Sequence, residues 1–276
     1  MKSILAAIDI ETGAETVLFE TELHLEAPNW TRDGTALIVN GGGRLYRLPI
    51  DEPGLNAIDT GFAKDLNNDH GLSPDGNLIV ISDSTELGAS CIYVLGAGGG
   101  APRKVTAEIP SYWHGWSPDG EELAYVGKRP ETGGTFQVFT IGVDGGAERQ
   151  LTHGFDHCDG PDYTADGGWI WFNGERAGSV QLWRMRTDGS ALEQMTHEAS
   201  VNWFPHPSPD GRHVAYLAYD PGTTGHPANR NVELRLMPAG GGPSRGLRAV
   251  FGGQGTLNVP SWAPDSRRFA YMRYQP

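Results

Sequence analysis

One short pattern occurs six times along this chain, and it constrains the fold more than any other feature. Each copy has an aromatic or apolar residue, a small residue, often proline, then aspartate with glycine or serine, and then a hydrophobic strand. The anchor aspartates, 42 to 55 residues apart, are Asp33, Asp75, Asp119, Asp166, Asp210 and Asp265. A period in the forties, made of four short strands, is typical of a blade in a β-propeller.

The residue types of the anchor predict a tight hairpin between the first two strands of each blade. Proline presets φ for the turn, the aspartate carboxylate accepts backbone N–H bonds, and glycine tolerates positive φ. A second turn follows later in each repeat, as in Asp144-Gly145-Gly146. Each blade is therefore expected to contain four antiparallel strands, A to D, joined by two kinds of turn.

The strand count also predicts how the ring closes. The last anchor is followed by only one more strand, whereas two unassigned strands precede the first anchor. We expect residues 3–20 to pair with residues 258–273 and complete the last blade, which removes an exposed edge. The prediction is an all-β, six-bladed propeller that occupies residues 1–276 as a single domain.

Composition narrows the classes of partner. The net charge of −13 argues against nucleic acid or an anionic membrane surface, and no stretch is long enough to span a bilayer. The apolar run Ile4 to Ile8 is too short for the core of a signal peptide. Cys91 and Cys158 form neither a metal-ligand pair nor a disulfide framework. We expect a soluble cytoplasmic protein, or a periplasmic one if a leader has been removed.

The anchors, the Asp-Gly-Gly turns and the Leu-Thr ends of outer strands resemble the TolB-type propeller repeat, and the resemblance extends over essentially the whole chain. The match is closest from Gly160 to Met185, GPDYTADGGWIWFNGERAGSVQLWRM. It implies the fold but indicates little about function. Unlike TolB itself, the chain is expected to have neither an export signal nor a separate N-terminal α/β domain. Oligogalacturonate lyases, which hold a metal through histidines, have similar repeats.

The face formed by the D–A connections and the B–C loops is the predicted site, because variable loops on a rigid scaffold commonly carry function. Five residues before the anchor aspartate, four repeats have proline, whereas two adjacent repeats have His70 and His114. Other side chains expected at the channel mouth are Asn67, Asn68, Asp69, Tyr112, Trp113, His157, Asp159, Asp162, Asn202, Trp203, His206 and Asn258. The B–C loops add Lys128, Arg129, Arg176, His226 and Arg230, which favour an anionic ligand such as an acidic sugar.

These residues leave several functions open. The main hypothesis is a recognition module that presents its channel mouth to a small ligand, a saccharide or a protein segment. A second is a lyase or hydrolase for acidic oligosaccharides, in which His70, His114 and His206 hold a divalent metal. A third is a protein-interaction scaffold, and the histidines could also bind only water. Whether the protein is an enzyme is not decided by the sequence.

Overall fold

The computed structural model describes residues 1–276 and places most of them in β-strands. One 3-10 helix, Pro130–Thr132, interrupts the strands. In chain order the strands are β1 (Lys2–Asp9), β2 (Glu15–Thr21), β3 (Glu26–Trp30), β4 (Ala36–Gly41), β5 (Arg44–Pro49), β6 (Asn56–Ala57), β7 (Leu66–Leu72), β8 (Leu78–Asp83), β9 (Cys91–Gly96), β10 (Arg103–Lys104), β11 (Ser111–Trp116), β12 (Glu122–Lys128), β13 (Phe136–Gly142), β14 (Arg149–Gln150), β15 (His157–Tyr163), β16 (Trp169–Arg176), β17 (Ser179–Arg186), β18 (Glu193–Gln194), β19 (Val201–Pro207), β20 (His213–Tyr219), β21 (Ala228–Pro238), β22 (Arg245–Gly253) and β23 (Arg268–Gln275).

The strands form six sheets that surround a central channel. Five of them are four-stranded and antiparallel, and each is built from consecutive strands: β3 to β6, β7 to β10, β11 to β14, β15 to β18, and β19 to β22. In these five sheets the first strand is innermost, and it packs against the first strand of the adjacent sheet. The predicted six-bladed β-propeller is confirmed, and blades 1 to 5 are numbered here in this order. The chain has no helix with the length and apolar character needed to cross a bilayer.

The sixth blade joins the two ends of the chain, as predicted. Its strand order is β2-β1-β23, and β1 pairs with β23 from Lys2 opposite Gln275 to Asp9 opposite Arg268. Strand β23 also contacts β3 of the first blade and β22 of the fifth, which closes the ring. The innermost position of this blade is held by a single bridge between Trp262 and Phe269.

The anchor turns have the chemistry expected from their residues, as the second blade illustrates. Ser73 donates its hydroxyl hydrogen to the Asp75 carboxylate at 2.5 Å, and the backbone N–H of Asn77 donates to the same oxygen at 3.0 Å. These hydrogen bonds lower the pKa of Asp75 to about 2. Gly76 has a φ of 77°, which L side chains rarely adopt. Local hydrogen bonds therefore define the turn.

The core lies between blades. The indole N–H of Trp116 donates to the carbonyl of Gly71 in the preceding blade at 3.3 Å, and that of Trp262 donates to the carbonyl of His206 at 2.8 Å. The ring of Trp113 lies so close to Gly71 that a Cβ there would meet a ring carbon at 2.2 Å. Trp116 and Trp262 therefore link the third and sixth blades to the blades that precede them.

Candidate functional site

The innermost strands of the first five blades are irregular a few residues before the anchor, and this irregularity positions the candidate site. On β7, Leu66 pairs with Asp83 and His70 with Ile81, so residues 67–69 lie opposite a single residue of β8. On β11 the extra residue is His114, and on β19 the shift includes Phe204. A bulge turns side chains away from regular alternation. Here the bulged residues Asn67, Asn68, Asp69, His114 and Phe204 all face one cavity.

This cavity, called the mouth pocket below, lies at the end of the channel where the B–C loops and D–A connections meet. Its volume is about 270 Å³. Side chains from five blades form its wall, and most of them are polar or aromatic. The lining residues are Asn67, Asn68, Asp69, Tyr112, His114, Val126, Phe136, His157, Asp159, Phe204, His226, Gln254 and Asn258.

Asp159 is surrounded by three imidazoles. Its Oδ1 lies 2.8 Å from Nε2 of His114, and its Oδ2 lies 3.5 Å from Nε2 of His226 and 3.8 Å from Nε2 of His157. Burial by itself would raise the pKa of Asp159, but the imidazoles, above all His114, hold it well below its usual range. Burial likewise opposes protonation of His114, yet Asp159 and Asp69 raise the pKa of this histidine to about 8. Asp159 and His114 therefore form a buried ion pair at neutral pH.

Asp69 lies in the same pocket in a different environment. It is 5% exposed, and its carboxylate receives no hydrogen bond from the protein; only its backbone N–H is engaged, with the Asn67 side chain at 2.9 Å. Burial raises the pKa of Asp69 to about 7, and the charges of Asp159 and Glu26 act in the same direction while His114 opposes them. A carboxyl group that changes protonation near neutrality can bind both neutral and charged ligand groups.

Aromatic rings complete the wall. Phe136 makes edge contacts with Tyr112 at 5.7 Å and with His157 at 5.4 Å between ring centroids. Phe204 lies 5.2 Å from the ring of His226 and adopts a φ of 57°, which places its side chain at the bulge. Nδ1 of both His114 and His226 is buried without a hydrogen-bond partner in the protein. The pocket thus combines apolar ring faces with unsatisfied polar atoms, as ligand sites do.

The structure brings five of the predicted site residues into the mouth pocket: Asn68, Tyr112, His114, His157 and Asp159. Trp203 lies directly behind the wall, with its ring 4.5 Å from that of His226 and 5.8 Å from that of His157. Asn67, Asp69, His226 and Asn258, which the sequence placed at this level or in the loops above, also line it. Val126, Phe136, Phe204 and Gln254 were missed, because nothing in their local sequence distinguishes them from core or loop residues.

Other predicted site residues lie outside the pocket. His70 is fully buried, and its Nε2 lies 3.4 Å from the carbonyl oxygen of Ile38 in the first blade. His206 is held between the Asp162 carboxylate at 3.1 Å and the Leu257 carbonyl at 3.2 Å. These contacts join neighbouring blades. The candidate metal ligands His70, His114 and His206 therefore have three different environments and do not meet in one cavity.

Most of the arginine and asparagine side chains that were predicted to bind a ligand are instead engaged by other groups of the protein. Arg129 pairs with Glu148 at 2.6 Å, and the Arg176 guanidinium stacks on Phe155 at 3.8 Å. The Asn202 side chain bonds to Gln181 and Glu198 at 3.3 Å. Arg230 is an exposed residue of β21. None of these residues lines the mouth pocket, so the cationic wall expected from the sequence is absent there.

Comparison with known proteins gives consistent results. A family model described as a TolB beta propeller domain matches residues 110–237. An uncharacterised protein of Agrobacterium fabrum is 47% identical over 277 residues, covering 100% of this chain and 94% of that protein. A solved structure from Agrobacterium tumefaciens that bears the name TolB is 47% identical, covers 100% of this chain and 99% of that one, and superposes with a TM-score of 0.97.

More distant structures share the fold alone. TolB from Acinetobacter baumannii is 18% identical with a TM-score of 0.68, covering 87% of this chain and 61% of that one. An oligogalacturonate lyase in complex with manganese is 16% identical with a TM-score of 0.58, covering 90% of this chain and 72% of that one. At these identities the similarity supports the architecture and carries no residue roles.

Proposed function

This chain belongs to the TolB β-propeller family, and we propose that it is a binding module that takes a small polar ligand of saccharide size into its mouth pocket. The observation that carries the proposal is the convergence of Asn68, Tyr112 and Asp159, from three successive blades, on one cavity. The bulges of the innermost strands create that convergence. A core that needed only packing would have no use for these polar groups, because each one costs free energy when buried.

The composition of the wall supports a hydroxylated ligand. Amides and carboxylates exchange hydrogen bonds with hydroxyl groups, and the rings of Tyr112 and Phe136 offer apolar faces against which a sugar ring can pack. The volume of about 270 Å³ is near the lower end of ligand pockets, roughly 300–1,000 Å³. It suits one sugar ring or the tip of a single side chain from a protein partner.

The charge of the pocket favours a ligand other than an acidic sugar. Asp159 and His114 neutralise each other, and Asp69, whose pKa burial raises to about 7, is negatively charged in part at neutral pH and fully at higher pH. The arginines that suggested an anionic ligand pair with Glu148, stack on Phe155 or lie exposed on β21. A carboxylate on the ligand would therefore meet a carboxylate of the protein.

The Tyr112 hydroxyl provides the test. It lines the pocket and has no hydrogen bond within the protein. Tyr112→Phe should therefore leave the fold unchanged and weaken binding by about 1 kcal/mol, the usual contribution of one hydrogen bond. We would titrate neutral hexoses, pentoses and their disaccharides and follow the protein by NMR. Tyr46→Phe, a matched change in β5 outside the pocket, is the control. If no sugar shifts the pocket resonances, or both variants behave alike, the proposal is wrong.

Two other functions receive weaker support. For a metal-assisted lyase acting on acidic oligosaccharides, the sequence suggested His70, His114 and His206 as metal ligands, yet only His114 of these three lines the pocket. An interaction scaffold would use the same mouth if a protein segment inserted one polar side chain. The sugar titration separates this case, since a peptide-binding pocket would leave free sugars unbound.

We further propose the cytoplasm as the location of this binding. Cys91 and Cys158 are both free thiols in the interior, which is compatible with a reducing compartment. Localisation of a tagged full-length protein by cell fractionation would test this part separately from ligand binding.

A further inference from the structure

Asp69 is a buried carboxylate for which the protein supplies no partner. It is 5% exposed, it lines the mouth pocket, and neither a backbone N–H nor a side chain donates a hydrogen bond to its oxygens. Every anchor aspartate of the opposite face, by contrast, accepts a backbone N–H bond within its own turn, as Asp75 does at 3.0 Å. A carboxylate buried in this way costs stability unless something outside the chain compensates it.

The groups around Asp69 do not supply the missing positive charge. From β3 it faces Glu26, from β11 it faces His114 and Tyr112, and from β15 it faces Asp159. Only His114 among them is cationic, and its Nε2 lies 2.8 Å from Asp159. Lys128 lies over the ring of Phe136 at 4.8 Å and is exposed to solvent. Above the pKa of Asp69 the protein therefore supplies no cation of its own to pair with this carboxylate.

We infer that the ligand of the mouth pocket carries a positively charged nitrogen, an ammonium group that pairs with the carboxylate of Asp69. This inference rests on the proposed function, since it names the chemical class of ligand for the same pocket: a polyhydroxylated amine such as an amino sugar. The aromatic rings of Tyr112, Phe136 and Phe204 suit such a ligand, because ring faces attract cations as well as sugar rings.

Pairing with an ammonium group also makes the affinity for the ligand depend on pH. The cation favours the ionised form of Asp69, so binding near neutral pH releases the proton that this carboxyl otherwise holds. Deprotonation of His114 at higher pH makes the pocket more negative and acts in the same direction. Affinity for a cation should rise from pH 5 to pH 8, whereas affinity for a neutral polyol should not.

Three probes of similar size and different charge test the inference: ethanolamine, ethylene glycol and glycolate, titrated at pH 8 and followed by NMR of the full chain. We expect ethanolamine to bind at least about tenfold more tightly than ethylene glycol. Asp69→Asn, which keeps the shape of the side chain, should reduce that ratio to about one. Asp51→Asn, at an exposed position, should leave the ratio unchanged.

Equal affinity for the three probes, a preference for glycolate, or a preference for ethanolamine that survives Asp69→Asn would overturn the inference. So would failure of all three to bind. If neutral sugars bind and ethanolamine has no advantage, the proposed function stands and only the charge of the ligand is wrong. If ethanolamine binds through Asp69 and no sugar binds, the saccharide proposal fails instead. Thermal unfolding of Asp69→Asn confirms that the variant is folded.

Discussion

At the scale of single residues, two aspartates in one pocket have opposite properties because their neighbours differ. Asp159 has three imidazoles within 4 Å of its oxygens, so its pKa is held well below the usual range. No imidazole forms a hydrogen bond or ion pair with Asp69, and burial raises the pKa of this carboxyl group to about 7. The first carboxylate is compensated by the fold. The carboxylate of Asp69 has no hydrogen-bond donor or paired cation in the protein.

A stability prediction follows for Asp69. Its folded-state pKa of about 7 lies above the ordinary value of 3.8, so the free energy of unfolding decreases as pH rises from about 4 to about 7. Asp69→Asn removes this loss. Relative to the native chain, the free energy of unfolding of the variant should increase by about 2–3 kcal/mol as the pH rises from 5 to 8. Urea unfolding at the two pH values measures the gain, and Asp51→Asn should show none. An equal effect of Asp69→Asn at both pH values would contradict the account.

The prediction that His70 and His114 share one site was wrong. Both stand five residues before an anchor, yet only His114 lines the pocket. His114 is itself the bulged residue of β11, whereas on β7 the bulge ends just before His70, which pairs with Ile81 and turns toward the first blade. Spacing from the anchor could not reveal this, since the lengths of the two bulges depend on packing between blades.

At the scale of strands and turns, prediction from the sequence succeeds because the determinants are local. Ser73, Asp75 and Gly76 lie within four positions and supply the hydroxyl, the carboxylate and the left-handed backbone that the turn requires. The prediction of a cation-rich face was wrong because its determinants are not local. Arg129 lies in a B–C connection and Arg176 ends the strand before one, but Glu148 and Phe155, which lie outside these local segments, engage them.

Packing between strands of adjacent blades can be tested at Gly71. A Cβ at this position would lie 2.2 Å from a carbon of the Trp113 ring, and that ring is fully buried. Gly71→Ala should therefore lower the free energy of unfolding by about 1–3 kcal/mol, as overpacking in a core typically does. Gly98→Ala, in the same blade with open space around its Cβ, is the matched control. Chemical denaturation compares the two, and equal stability would show that the contact between β7 and β11 tolerates a methyl group.

At the scale of the whole molecule, the ring depends on one junction. Strands β1 and β2 complete the sixth blade, and Glu15 accepts hydrogen bonds from Tyr271 and Arg273 across the junction. This is where the sequence was most informative, because counting strands before the first anchor and after the last one was enough to predict closure.

Removal of residues 1–20 tests the junction. The truncated chain loses both strands that pair with or cover β23 and exposes a hydrophobic edge. The loss should far exceed the change of about 1 kcal/mol that a typical substitution causes. We expect aggregation or a sharply lowered melting temperature, measured by size-exclusion chromatography and thermal unfolding. A soluble monomer that melts like the full chain would show that closure does not stabilise the ring.

We also propose that residues 1–276 unfold as a single domain. Every blade packs against two others around the ring, so no segment has a core of its own. Scanning calorimetry should show one transition whose calorimetric and van't Hoff enthalpies agree. Two resolved transitions would divide the chain into independent units and remove the rigid frame on which the mouth pocket depends.

A crystal structure after soaking with a panel of neutral and amino sugars would show whether the mouth pocket binds a small polar ligand. We expect electron density for a sugar between Asp69, Tyr112 and Asp159, with an amino group, where present, against the Asp69 carboxylate. Sugars bound only on the outer faces of the blades, or density in the pocket that is the same with and without the soak, would contradict it.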